Sequence, residues 1–175
     1  DFWRLNDMKS ELIQNLRNEM KKVAGEIHTA FPGTITAYDP ASNTAEVLPG
    51  IQLKKPDGTK MDYPKISGVP VVCFRAGGAT IALPIKAGDG CLIVVAEKAI
   101  DKWMYGQETD TDLNHDITNA MCIPGLFASG NSAQQTACSS GKVVIDSGGA
   151  GVSINGDISI SGSISCSGSV HGTNI

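Results

Sequence analysis

Val69–Glu97 reads VPVVCFRAGGATIALPIKAGDGCLIVVAE, with apolar runs at 69–74, 79–85 and 91–97 separated by the turn sequences RAGG and KAGDG. Short runs rich in Val and Ile, broken by glycine turns about every 8–12 residues, are the pattern of a small all-β barrel or sandwich. Working upstream, Thr34–Tyr38 and Thr44–Leu48 alternate in polarity on either side of DPASN, which predicts a hairpin. PDG at 56–58 marks a further turn. Pro84 places its run at an edge or a bulge, because proline brings no N–H to a ladder. Cys73 and Cys91 fall inside apolar runs and read as small hydrophobes. A short helix or turn is expected at Lys98–Tyr105, with Trp103 and Tyr105 covering one end of the barrel.

Before the β region the pattern changes period. Leu5, Met8, Leu12, Leu16, Met20, Val23 and Ile27 recur at steps of three or four, which predicts one amphipathic helix over 6–29. Asn6 or Asp7 is the expected cap, and Pro32 blocks continuation. The stripe either packs on its own domain or docks on another chain through Leu12, Leu16, Met20 and Val23. Behind the β region, 106–138 is of mixed composition and reads as a connecting segment.

The last 37 residues hold ten Ser and eight Gly and no aromatic residue. Composition alone describes a flexible linker. The order of residues is that of a repeat: GVSING, DISISG and SISCSG from Gly151, then the looser SVHGTN. The second and fourth places carry Val152 and Ile154, Ile158 and Ile160, Ile164 and Cys166, with Val170 in the fourth hexad. Alternation puts these side chains on one face and serine on the other. So short a strand cannot shield its apolar face alone. Three identical chains wrapped about an axis, apolar side inward, make a closed prism that also removes open edges. The alternative is an unstructured Ser/Gly tail. The organisation read from the chain is a helix at 1–30, a barrel at 31–120, a connector at 121–138 and the hexad segment at 139–175.

Composition narrows the function. The chain has 175 residues, 14 basic against 18 acidic, and a net charge of −4. That is one domain plus appendages, with no run of apolar residues long enough for a membrane helix. The first thirty residues carry five basic and five acidic side chains, unlike a secretory signal peptide, and the missing initiator Met leads to the expectation of an upstream segment. The five cysteines form no C-x-x-C and sit at no metal-ligand spacing, which fits synthesis in a reducing compartment. No segment is basic enough to hold a polyphosphate backbone, so nucleic acid is not an expected partner.

Individual chemistries are likewise not supported. Asp110, Asp112 and Asn114 open like a calcium loop, yet His115 stands at the glycine position and Met121 where the bidentate acid belongs. His115, Asp116 and Cys122 are the ingredients of a thiol nucleophile without a spacing that joins them. Asp89 reads as a turn residue, and RAGG lacks the Lys and helix of a phosphate loop. Trp3, Trp103 and Tyr105 have the chemistry to stack bases or sugars, but aromatics make up 5% of the chain and no basic groove accompanies them. No catalytic cluster emerges, so an enzyme is not expected.

GTITAYDPASNTAEVLPGI at 33–51, VPVVCFRAGGATIALPIKAGDGCLIVVAEKAIDKW at 69–103 and HDITNAMCIPGL at 115–126 together resemble the N-terminal OB domain of central spike proteins of contractile phage tails. The resemblance covers about residues 31–127, with the hexad tail behind it in the expected place. It implies a mainly β protein made of an N-terminal α-helix, an OB-fold small β-barrel and a C-terminal intertwined trimeric β-helix. It also implies a homotrimer at the baseplate tip of a virion, made in the host cytoplasm. The expected partners are the baseplate hub and tail-tube proteins, a separate small tip protein, and transiently the host envelope, which the spike pierces on sheath contraction. Under this reading the helix docks on the hub or between chains. Many such spikes end in a His-x-His pair that binds iron on the axis. Here the stretch is His171-Gly172-Thr173, and His171 falls at an outward place, so no metal or other cofactor is expected. The alternative function is a trimeric OB-fold module that binds a glycan or peptide.

Overall fold

A computed structural model describes residues 2–55, 57–106 and 113–172. Asp110 and Asp112 of the calcium-like run, Pro56 of the PDG turn, Thr173 behind His171, and the side chains of Trp3 and Leu5 lie outside the described part. The chain divides into two compact units, Asp1–Ser129 and Gly130–Ile175.

The first unit opens with α1, Phe2–Gly25. It starts upstream of Asn6 and Asp7, which therefore lie inside the helix and do not cap it, and it ends before Ile27. The chain then enters a five-stranded antiparallel sheet. Its strands are β1 (Ala30–Asp39), β2 (Thr44–Pro49), β5 (Ile66–Pro70), β8 (Gly90–Val95) and β9 (Ala120–Pro124), in the spatial order β5-β2-β1-β8-β9. The expected opening hairpin is present, with Ile35 opposite Val47. Its turn is held by Asp39, whose carboxylate accepts from the Ala41 N–H at 3.0 Å and the Ser42 hydroxyl at 2.7 Å.

One face of this sheet is the core. Cys91, Ile93 and Val95 alternate inward from β8, Ala45 and Val47 from β2, Phe31 and Ile35 from β1, and Ala120 and Cys122 from β9, joined by Ile66, Val69 and Val71. A single sheet buries such a face only by curling. Register shifts between Ile35 and Ala37, and again between Ala45 and Val47, supply bulges that bend β1 and β2. The edges then approach: Val71 bridges Cys122, and the Val72 N–H donates to the Cys122 carbonyl at 2.8 Å. The result is a curled half-barrel.

Two small hairpins stand apart from that sheet, β3–β4 (Gln52–Lys54 and Lys60–Asp62) and β6–β7 (Phe74–Ala76 and Ala79–Ile81). Neither 69–74 nor 79–85 is therefore a single strand of the curled sheet. The first divides between the end of β5 and β6, and the second keeps strand geometry only to Ile81, short of Pro84. Cys73 is exposed, whereas Cys91 is buried as expected. A short helix, α2 (Asp101–Tyr105), forms where one is expected, but Trp103 is 73% exposed and Tyr105 65%, so neither covers the barrel. Asp89 does serve its turn, accepting from the Lys86 N–H at 2.7 Å.

Ahead of β9, Asp116 caps the 3-10 turn Ile117–Asn119 by accepting from the Thr118 N–H at 2.8 Å and the Thr118 hydroxyl at 2.5 Å. The hydroxyl bond above all, then the N–H bond, holds its carboxyl below the ordinary value of 3.8. A carboxylate stabilised in this way favours the fold above its unfolded pKa, and that contribution disappears as pH falls through the folded value. Asp116→Ala is expected to lower stability at pH 7 by about 1 kcal/mol, the usual worth of a cap. The gap between the two proteins' thermal midpoints should narrow below about pH 3.8, the unfolded reference value.

The second unit begins with α3 (Ser132–Ser140), capped by Asn131, which accepts from the Ala133 N–H at 2.7 Å, and closed by Gly141 at φ +64°. Among the described residues none after Pro124 lies in a strand. The β-helix expected over 139–175 is thus not formed by the single chain. A run of about four residues closed by glycine has no edge to pair with inside one copy, and an isolated strand has no stability in water.

Candidate functional site

Three exposed apolar surfaces are the features of this chain with chemical capacity, and each arises from local sequence. On α1 every described side chain from Met8 to Gly25 is exposed. Met8, Leu12, Leu16, Met20 and Val23 share one face, each more than half exposed. The candidate docking residues Leu12, Leu16, Met20 and Val23 are therefore together on one helix and uncovered by the chain's own sheet. Such a stripe ordinarily faces a core.

The second surface is the β6–β7 arm. Phe74 and Ile81 are opposite one another in register, at 74% and 68% exposure, and Leu83 and Val72 flank them. Sequence reading assigns these side chains to the barrel. At the RAGG turn, Gly77 at φ +57° and Gly78 at φ +85° close a tight hairpin, and its strands pair with each other in a two-stranded sheet of their own. The β3–β4 arm repeats the theme more weakly, with Leu53 opposite Met61. Beside it, Leu48, Pro49, Gly50, Ile51, Gln52 and Asp62 line an open cleft.

The third surface is the tail. Val152, Ile154, Ile158, Ile160, Ile164 and Val170 are all more than half exposed, and Cys166 is exposed as well. Gly156 and Gly162, which end the first two hexads, have φ of +135° and +156°. Glycine is the residue that allows such corners.

Titratable groups gather at two places. Cys91 and Cys122 are buried neighbours on β8 and β9, both free thiols. The bond to Cys91 and burial push the Cys122 thiol up. Both side chains are sealed in the core, which sets Cys122 apart from an accessible nucleophile. His115 sits at φ +51°, its N–H donating to the Glu97 carbonyl at 3.2 Å and its own carbonyl accepting from the His28 N–H at 3.3 Å. His28 packs edge-on against Phe31 and Tyr63. These bonds tie the segment before β9 to the exit of α1, which is structural work. Among the described residues no group of His, Cys, Asp or Glu is arranged to hold a metal. No helix among them is long and apolar enough to cross a membrane.

The family model described as phage protein Gp138 N-terminal domain matches residues 31–125, more than half of the chain. The matched stretch runs from the start of β1 to just past β9, so it comprises the whole curled sheet and its two arms. No curated protein is similar enough to the chain to count as a match.

Proposed function

The chain belongs to the phage protein Gp138 N-terminal domain family, which supports a phage structural protein of the virion, and from that premise we propose that it is the homotrimeric central spike of a contractile-tail baseplate. In this reading the curled sheet is an OB-type barrel that meets the hub and tube. The hexads of three copies wrap into a β-helical rod that pierces the host envelope when the sheath contracts. The work comes from the machine around it and not from bond chemistry, so no residue is assigned a catalytic role and no cofactor or metal is required.

The observation that carries the proposal is the exposed apolar pattern of the tail. Val152, Ile154, Ile158, Ile160, Ile164 and Val170 are each more than half exposed, and through the first three hexads apolar residues alternate with polar ones and a glycine closes each hexad. That order is too regular for a linker, and the strands are too short to fold alone.

Light scattering on a sizing column tests the reading, on the full chain and on a chain ending at Ala137. The expected result is three times the chain mass for the first and a lower oligomer for the second. A full-length monomer overturns the spike and returns the sheet to a lone barrel with a flexible tail.

A further inference from the structure

We infer that α1 packs in parallel against the α1 helices of two further copies, as a short three-helix bundle with an 11-residue repeat. The inference rests on the trimeric reading above and names the partner of its helix.

Helix α1 has 24 residues, about 36 Å at 1.5 Å per residue. Helices of that kind take most of their stability from packing an apolar face, and among the described residues nothing covers this one from Met8 onward. Its apolar residues Met8, Leu12, Leu16, Met20 and Val23 are left more than half exposed. The spacing then selects the occupant. Leu5 and Leu16 are 11 residues apart, as are Leu12 and Val23. Eleven residues make three turns at about 3.67 per turn, close to the 3.6 of a straight helix, so the stripe runs nearly along the helix axis with a slight right-handed drift. A seam held parallel to the axis over several turns is what helices gathered around a common axis require.

Connectivity and charge agree with copies of the same chain as occupant. Only Glu26–Thr29 separate α1 from β1. Four residues span at most about 14 Å, so the end of α1 is held near β1 of its own sheet and three copies of the sheet would bring three helices with them. Residues 1–30 balance five basic against five acidic side chains, so parallel copies meet without net repulsion. Glu19 is the informative exception. It lies seven residues after Leu12 and four before Val23, within the seam, and in three copies it brings three carboxylates toward one another.

The test uses the full chain, with mass from light scattering and helix signal from circular dichroism at 222 nm. In Leu12→Asp/Leu16→Asp, more than half of the helix signal should disappear, because α1 is far longer than α2 and α3. Glu19→Leu should do the opposite and raise the midpoint of the helix melt, a gain that a damaged fold does not produce. Loss of the trimer along with the helix in the double variant also supports self-packing. A trimeric parent whose helix signal survives the double substitution and whose melt ignores Glu19→Leu overturns the bundle and leaves the face to a hub protein, with the spike reading intact. A monomeric parent removes the trimeric reading itself.

Discussion

Gly90→Ala is expected to cost the fold about 3 kcal/mol, at the upper end of what overpacking a single methyl does. Gly90 opens β8, stands opposite Thr34 of β1, and its carbonyl accepts from the Gly125 N–H at 2.9 Å. Its backbone is ordinary, so the position is not reserved for glycine by φ. It is reserved by space. A Cβ here runs into the carbonyl oxygen of Leu126, with the Leu126 carbonyl carbon at 3.0 Å and Phe127 Cδ1 at 3.4 Å. The obstacle is backbone at the point where β9 returns past β8, so no rotamer change relieves it. Either the chain after Pro124 moves away or β8 shifts against β1, and both open the edge of the half-barrel. Calorimetric melts should show the midpoint falling by roughly 10 °C, at about 2–4 °C per kcal/mol for a chain of this length. Gly25→Ala is the control, since a Cβ there meets nothing within 4 Å; it should melt with the parent or above it. A Gly90→Ala melt within about 2 °C of the parent contradicts the close approach of Leu126.

Much of this architecture was legible in the residues, for identifiable reasons. Helix α1 announces itself by period, and the β1–β2 hairpin by alternation broken at a turn whose Asp39 bonds are local. What depends on distant partners was not legible. The curl of the sheet comes from bulges at Ile35/Ala37 and Ala45/Val47, and nothing in those residues distinguishes a bulged strand from a straight one. β9 is AMCIP, too short to show alternation, and is a strand because β8 offers it an edge. α3 hid in the connector although its ends were marked by Asn131 and Gly141; its interior, SAQQTACSS, has no apolar face to signal a helix. The β6–β7 arm was assigned to the barrel because Phe74 and Ile81 are apolar, and apolar residues are read as inward. They are outward. The α1 stripe and the hexads are legible as exposed apolar patterns, and pattern is the information sequence carries best. The arm was missed because its meaning lies in exposure.

On the trimeric rod proposed above, Ile160→Asp is expected to lower the melting midpoint by well over 10 °C and to lower the mass in solution. Ile160 is the fourth residue of the second hexad and is half exposed in the single chain, as an axial residue is before its partners arrive. In the proposed rod, three copies of this residue would meet at one level of the axis. Substitution would then bring three carboxylates together in an apolar space. Burying an ionised group without a partner costs several kcal/mol, and each like charge adds to it. The carboxyls lower that cost by taking up protons, so their pKa values in the trimer lie above the unfolded value. The variant should therefore recover part of its association as pH falls through that raised range, whereas the parent, with no such group, should not. Ser161→Asp is the matched control. It adds the same charge one residue along, on the face turned to water, and should leave mass and melting midpoint where the parent has them. The contrast between the two positions is what the alternating prism demands and what an unstructured Ser/Gly tail cannot produce, because in a flexible chain neighbouring residues are equivalent. Should Ile160→Asp remain trimeric with the parent's melt, or should both substitutions act alike, the hexads do not surround an axis.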